Sequence, residues 1–328
     1  MYKFKKGLSL RKVEQKGKTI ELTLGWSPYT SKKIIIDQKF LPILKDLVIG
    51  IDGEGLSEKH PETRKSDRDR LVLFLKDNNI LQSIDYQGRY SRHLMFYDLL
   101  SSDAASVQKK ISESVITVIG VGGIGCWTSL NLACLGVGEI RLVDADIVEE
   151  SNLTRQVLFS ENDIGKRKVD IAKNRIEAFN SGIIVRKYIE NISSTNQARN
   201  IIENSDVVIL SADYPPGLIQ GWTAEACKSL EVRCINAGYL DITGTILRLT
   251  EPENFFTPGN TVQNTMSEIT EIQNVFADNY KAPSFGPINS MVSSIAAMEA
   301  FKAIIHYGPE FKEIYIDPLS LEIDSCVI

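Results

Sequence analysis

Residues 114–125, SVITVIGVGGIG, constrain the fold more than any other stretch of this chain. An unbroken run of apolar, β-branched residues reads as a strand buried on both faces, inside a parallel sheet. The run ends in Gly120-Val121-Gly122-Gly123-Ile124-Gly125, and a segment with helical spacing, Trp127 to Leu135, comes next. Glycines at a strand-to-helix turn let the backbone approach a phosphate. The helix N-terminus adds free N–H donors and the positive end of its dipole. A tight turn in a plain α/β protein is the alternative, since glycine also serves sharp reversals. Asp144 lies 24 residues past Gly120, at the end of the next strand-like run, EIRLVDAD. An acid there can accept hydrogen bonds from ribose hydroxyls. To this point the pattern suits NAD and ATP alike.

The same alternation continues along the chain. Residues 166–180 have helical spacing, IIVRKYIE reads as a strand, and residues 195–204 as a helix. DVVILSAD is a further strand, LIQGWTAEACKSL a helix and VRCINAG a fifth strand. Strand and helix alternating at this spacing predict an α/β fold with a doubly wound, mostly parallel sheet. ITGTILRLT, a helix at about 288–306 and the two short strands of EIYIDPLSLEID extend it. Between them, 254–284 is long and polar, a length at which loops are functional or disordered. We expect it to order around a substrate.

The first 85 residues differ. LSLRKVEQ, TIELTL and KKIIID read as strands, with a turn at Gly17-Lys18 and a break at SPYT, 27–30. QKFLPILKDLVIG is a short helix that stops at Gly50, and IDGEGLSEKHPETRK is a loop. Ser66-x-x-Asp69 then opens a helix through LVLFLKDNNIL. The expected organisation is a small α+β, winged-helix-like domain at 1–85 and an α/β domain at 86–328. Residues 1–85 carry a net charge of +5 and residues 86–328 a net charge of −10. The basic excess sits mostly in the first 18 residues. It is either a solvated strand edge or a surface for an acidic peptide.

Composition excludes several classes. A net charge of −5 gives no general polyanion binder, so no nucleic acid is expected. No apolar run approaches about 18 residues, so no membrane span is expected, and the start shows no signal-peptide pattern. The five cysteines, Cys126, Cys134, Cys227, Cys234 and Cys326, form no CxxC. That set argues against a disulfide framework and against structural zinc, and for a reducing, cytoplasmic location. We expect Cys126 and Cys134, on the helix after the glycine loop, to be core residues.

The residues after Asp144 separate the two nucleotides. The run DADIVEESNLTRQVLFSENDIGKRK brings Arg155 and a lysine, which a dinucleotide oxidoreductase does not need. A site that must neutralise a triphosphate does. Gly-x-Gly-Gly-x-Gly, Asp-x-Asp, Ser-Asn-Leu-x-Arg-Gln and a Gly-x-x-Lys-like segment resemble the ubiquitin-activating-like (ThiF, MoeB, HesA) adenylating superfamily. RYSRH at 89–93 resembles the RYxRQ that precedes the glycine loop there, and SAD at 211–213 resembles the aspartate at that family's fourth strand end.

The resemblance implies ATP and Mg²⁺ as cofactors. It implies that Gly120, Gly122, Gly123 and Gly125 cradle phosphates, that Asp144 binds ribose and that Asp146 assists. Asn152, Arg155 and Lys168 would face the phosphates, with Lys166 and Arg167 as neighbouring cations. Asp213 would hold Mg²⁺, since a hard cation takes carboxylate oxygen. Arg92 would act in the partner subunit's site, which implies a homodimer. Catalysis would rest on Arg92, Arg155, Lys168 and Asp213.

NLTRQVLFSENDIGK, SADYPPGLI, INAGY and FGPINS further resemble the branch that modifies ribosomally made peptides, the microcin C and pantocin A enzymes among them. There a small N-terminal clamp holds the precursor peptide, so residues 1–85 are expected to bind a leader. The expected reaction is ATP-dependent adenylation of a peptide carboxylate, then attack from within the peptide and dehydrative ring closure, in antibiotic biosynthesis. The alternatives are a peptidyl–nucleotide bond as in microcin C, or activation of a ubiquitin-like sulfur carrier. Without a CxxC or a cysteine in 245–285, a thioester relay has no obvious nucleophile.

Overall fold

The computed structural model describes residues 1–25, 31–82, 85–101, 103–249 and 283–327. The SPYT break and residues 254–282 of the long polar segment lie outside the described residues. The chain divides into two compact units, Met1–Lys109 and Lys110–Ile328.

The N-terminal unit opens with an antiparallel meander, β1 (Leu10–Lys16), β2 (Thr19–Leu24) and β3 (Lys32–Asp37). Three helices come next: α1 (Leu41–Ile49), α2 (Gly53–Lys59) and α3 (Lys65–Asp77). Ile20, Leu22, Leu24, Ile34 and Ile36 bury one face of the sheet with Ile43, Leu47, Leu71 and Leu75 of the helices. The extreme N-terminus is stitched in by bridges from Tyr2 to Ile51 and from Phe4 to Leu81. The unit then continues into α4 (Ser91–Leu100).

Two expectations change in this unit. The stretch 51–65 is not all loop: α2 forms over Gly53–Lys59, capped by Asp52, whose Oδ1 accepts from Gly55 N at 2.7 Å. Its glycines and its length of 7 residues hid it from a periodicity test. Helix α3 starts at Lys65 with Arg64 at the N-cap and no side-chain cap, so Ser66 lies inside it rather than opening it.

Much of the basic surface is already paired. Lys12 and Lys16 meet Glu14, and Lys16 and Lys33 meet Glu21. Lys5 is buried, with its Nζ 3.4 Å from Asp98 Oδ1 and 2.5 Å from Asn79 Oδ1, while the Tyr86 hydroxyl donates to Asp98 Oδ2 at 2.5 Å. Lys3, Lys6, Arg11 and Lys18 have no ion pair among the described residues. The share of the N-terminal charge open to an acidic partner is therefore smaller than the sequence count.

The second unit is built on an eight-stranded sheet. Helix α5 (Ala104–Glu113) leads into β4 (Val115–Ile119), α6 (Gly123–Leu135) and β5 (Glu139–Val143). Then come α7 (Lys168–Phe179), β6 (Ile184–Tyr188), α8 (Thr195–Ile202), β7 (Val207–Leu210), α9 (Leu218–Ser229) and β8 (Arg233–Leu240). Strand β9 (Thr243–Arg248), α10 (Gly286–Ile305), β10 (Phe311–Asp317) and β11 (Glu322–Val327) complete it. The strand order is β11-β10-β9-β8-β7-β4-β5-β6. The ladders from β6 through β8 are parallel; those from β8 through β11 are antiparallel. The sheet is the expected mostly parallel one, and the last three strands extend it.

From β4 the chain passes to β5 on one side, and β7 later fills the other. That switch point opens a crevice at the strands' carboxyl ends, where α/β proteins hold ligands. Ile116, Val118 and Ile119 of β4 are fully buried, which fixes the floor of the crevice.

Two further expectations change. Helix α6 starts at Gly123, a turn before Trp127, so two glycines of the loop lie within it. Cys134 is exposed rather than core, whereas Cys126 is buried. Helix α10, at 20 residues, is long and apolar enough to cross a membrane by length and composition, although Asn289, Ser290, Ser293, Ser294, Glu299 and Lys302 interrupt its apolar residues. Here half of its apolar window is buried, and its Ser293 Oγ donates to Ile124 O of α6 at 2.8 Å.

Candidate active site

The glycine loop joins β4 to α6 under tight steric limits. Gly120 has φ +93, and a Cβ there would lie 2.7 Å from Ala212 N. A Cβ on Gly125 would overlap the Gly120 carbonyl oxygen. These two positions demand glycine because helix, loop and the end of β7 are in backbone contact. Gly122 is different: it is the N-cap of α6, and a Cβ there would meet nothing within 4 Å. The open space beside Gly122 faces the helix end, where first-turn N–H groups have no partners within the helix. That combination suits a phosphate.

The strand ends on either side are tied to the loop. Gly120 N donates to Val143 O at 2.8 Å, and Ser211 N to Ile119 O at 2.8 Å. Ser211 Oγ donates to Gly120 O at 2.9 Å. Asp144 Oδ2 accepts from Val121 N at 2.7 Å, and its Oδ1 accepts from Asp146 N at 2.8 Å. Asp144 thus shapes the loop backbone as well as standing at the expected ribose position.

The cations lie on the β5 side. Lys168, the first residue of α7, is 6% exposed; its Nζ contacts Asp146 Oδ2 at 2.8 Å, and its N–H donates to Asp146 O at 3.0 Å. Lys166 is exposed beside Asp163, and Arg167 donates to Ala145 O at 2.6 Å. Only Lys168, of the three, is a buried ammonium. Arg155 donates to Ser151 O at 2.7 Å. Asn152 is buried and organises the turn: its Oδ1 accepts from Glu149 N at 3.1 Å in a capping box. Its described contacts are local.

Asp213 comes after β7 and is exposed, with no ion pair among the described residues. No cluster of three or more His, Cys, Asp or Glu suited to a metal occurs among the described residues. One free carboxylate at a strand end fits Mg²⁺ all the same, because that ion takes few protein carboxylates and relies on substrate phosphates and water. Arg92 belongs to the N-terminal unit, where it is exposed on α4 with Nη1 4.0 Å from Met95 Sδ.

The ThiF family model matches residues 90–325. The chain belongs to the ThiF family. Curated relatives include an adenylyltransferase and sulfurtransferase MOCS3 of Culex quinquefasciatus, 39% identical over 159 residues, 48% of this chain and 35% of the relative. A probable molybdopterin-synthase adenylyltransferase of Porphyra purpurea is 29% identical over 227 residues, 69% of this chain and 56% of that protein. The chain spans about a third of the length of the first of these. Among solved structures, E. coli MccB superposes with a TM-score of 0.80 at 25% identity, covering 99% of this chain and 96% of that one. MccB has also been solved with ATP and with N-formylated MccA. PaaA superposes with a TM-score of 0.73 at 22% identity over 97% of this chain and 98% of its own, a likeness of fold.

In this ThiF-family chain the cysteine nearest the loop is shut away. Cys126 is buried on α6, donates Sγ to Val121 O at 3.5 Å, and burial pushes its thiol pKa up to about 12. Cys234 is raised as well, by its hydrogen bond to Cys227 and by burial. Thiols so raised are poor nucleophiles.

Sequence reasoning missed Ser211, Tyr239, Ser284 and Asn289 as structural parts of the site region. All four lie in motifs it quoted for resemblance, SADYPPGLI, INAGY and FGPINS or its preceding residue. The motif boundaries were the available signal.

Proposed function

We propose that this chain is an ATP-dependent adenylating enzyme that activates a carboxylate on a ribosomally made precursor peptide, in peptide antibiotic biosynthesis. The observation that carries the reading is the full-length likeness to MccB, whose N-terminal portion is matched along with its adenylation fold. The loop beside Gly122 supports it independently. The N-terminal unit also contains an open groove of about 520 Å³, lined by Tyr2, Leu56, Arg68 and Val72 among others. Residues 1–85, taken as the leader-binding domain, would use such a surface. Residues 86–328 are taken as the adenylation domain, although their first part, with α4 and Arg92, belongs to the compact N-terminal unit that ends at Lys109.

The chemistry is a pair of displacements. A peptide carboxylate oxygen attacks the α-phosphorus of ATP, the bond to the bridging oxygen breaks and pyrophosphate leaves. An amide nitrogen or side chain of the same peptide then attacks the acyl carbon, and AMP leaves with the carboxylate's oxygen. Over both steps the peptide loses the elements of one water molecule, its proton passing to solvent. The glycine-loop N–H groups, Lys168 and Arg155 stabilise charge on the phosphates. Asp144 and Asp146 orient the ribose side, and Asn152 holds the turn that carries Arg155. Asp213 would hold Mg²⁺, which would supply further charge neutralisation at the phosphates. Arg92 completes the site in trans within a homodimer. The free cysteines favour a cytoplasmic location.

Two other outcomes have support. A peptidyl–nucleotide product is the outcome favoured by the MccB likeness. Activation of a sulfur-carrier protein is favoured by relatives named as adenylyltransferase and sulfurtransferase. Purified protein, ATP, Mg²⁺ and peptides from short reading frames beside this one, followed by mass spectrometry, separate them. Loss of water supports ring closure, gain of a nucleotide supports the MccB-like outcome, and an unmodified peptide with an adenylated carrier protein supports the third. Release of neither pyrophosphate nor AMP with any substrate contradicts all three.

A further inference from the structure

Two motifs that resemble the peptide-modifying branch, INAGY at 235–239 and FGPINS at 285–290, have no part in the phosphate site as described. The fold brings them together. Tyr239 of β8 donates its hydroxyl to Ser284 Oγ. Asn289, in the first turn of α10, donates Nδ2 to the same oxygen at 3.3 Å. Asn289 is 0% exposed, and among the described residues its Oδ1 has no hydrogen-bond partner. Its amide lies against the first residue of α6, because a Cβ at Gly123 would overlap it.

We infer that Asn289 is a positioning residue for the phosphate loop, held in place by Ser284 and Tyr239. The inference rests on the nucleotide-binding part of the proposed function. A buried acceptor without a partner is unfavourable by itself, and an apolar residue of similar shape would avoid that cost. The amide's gain therefore comes from the loop it touches. The neutral amide, with Nδ2 its atom nearest to Gly123, packs against that end of α6 and sets the direction of the loop. A carboxylate in the same place would compete with an incoming phosphate for the positive helix end. The ligand chemistry read through this contact is thus the phosphate of the nucleotide, not its base or ribose. Ser284 is the shared acceptor that fixes the amide, and Tyr239, half-buried at the end of β8, fixes Ser284.

The test is titration calorimetry of the full chain with ATP, AMP and adenosine, with a thermal melt on each variant. Asn289→Asp is expected to weaken ATP at least ~10-fold, AMP less, and adenosine not at all. Tyr239→Phe, a milder change, is expected to weaken ATP by a few fold and leave adenosine unchanged. Equal losses for adenosine and ATP, or unchanged ATP affinity in folded variants, overturn the inference. If Asn289→Asp does not fold, the Tyr239→Phe profile decides by the same comparison. Failure of the unaltered protein to bind ATP overturns the nucleotide reading itself, and is distinguishable because it needs no variant.

Discussion

Lys168 Nζ rests 2.8 Å from Asp146 Oδ2, and the two side chains are unequal: the lysine side chain is 8% exposed and the aspartate 65%. A nearly buried ammonium is thereby held by a carboxylate that lies largely in solvent. A phosphate arriving at the glycine loop offers that ammonium a second, stronger anion, and Asp146 can turn outward without being desolvated. Lys168→Ala should lower pyrophosphate exchange by about 10²-fold, the scale for removing one donor to developing charge. Asp146→Asn should cost much less. Steady-state exchange rates on both variants check the order, and a larger loss for Asp146→Asn would reverse the assignment.

The loop glycines should separate by role. Gly125→Ala places a Cβ on the Gly120 carbonyl, so the variant should fold poorly or melt well below the parent chain. Gly122→Ala has open space, so its melt should stay close to the parent's while ATP affinity falls as the methyl enters the phosphate position. Thermal melts paired with ATP titration read both. A Gly122→Ala protein with unchanged affinity would move the phosphate elsewhere.

Thiol chemistry gives a count. Brief iodoacetamide treatment of the folded protein at mildly alkaline pH should label Cys134 and Cys326, which are exposed, and spare Cys126, Cys227 and Cys234, which are buried. Burial raises the Cys134 thiol too, so it should react more slowly than Cys326. Peptide mapping reads the sites. Cys126→Ala should retain exchange activity; its loss would reinstate a cysteine in the chemistry.

The buried pair Lys5–Asp98 anchors the N-terminal segment to α4, which also carries Arg92. Burial pulls the Lys5 ammonium down, and Asp98 opposes that shift. Lys5→Met leaves Asp98 buried without its cation and should destabilise the fold by about 3–5 kcal/mol. Urea unfolding measures it. A change below about 1 kcal/mol, the scale of exposed pairs, would mean that the pair is not buried in solution.

The sheet was legible because its strands are buried on both faces: SVITVIG and DVVIL cannot be amphipathic surface helices at that length. Alternation of strand and helix disclosed the parallel strands, and the place between strand and helix disclosed the glycine loop. Helix α2 was not legible, because a capped helix of 7 residues with two glycines carries too few apolar positions to show a period. The exposure of Cys134 was not legible either, since it depends on which face of α6 meets α10. At the site, Lys168 could not be chosen over Lys166 and Arg167 by spacing alone; burial distinguishes it. Asn289 was invisible for a related reason. Its contact with Gly123 joins residues 166 positions apart, and no local pattern encodes such a contact.

Peptide-dependent exchange of labelled pyrophosphate into ATP tests the central claim most directly, because it reports carboxylate activation whatever the later nucleophile. The full chain with Mg²⁺ and a peptide encoded beside it should exchange label, and blocking the peptide's carboxylates should abolish the signal. No exchange with any such peptide, alongside robust exchange with the carboxyl-terminal tail of a ubiquitin-like carrier protein, would contradict the peptide reading.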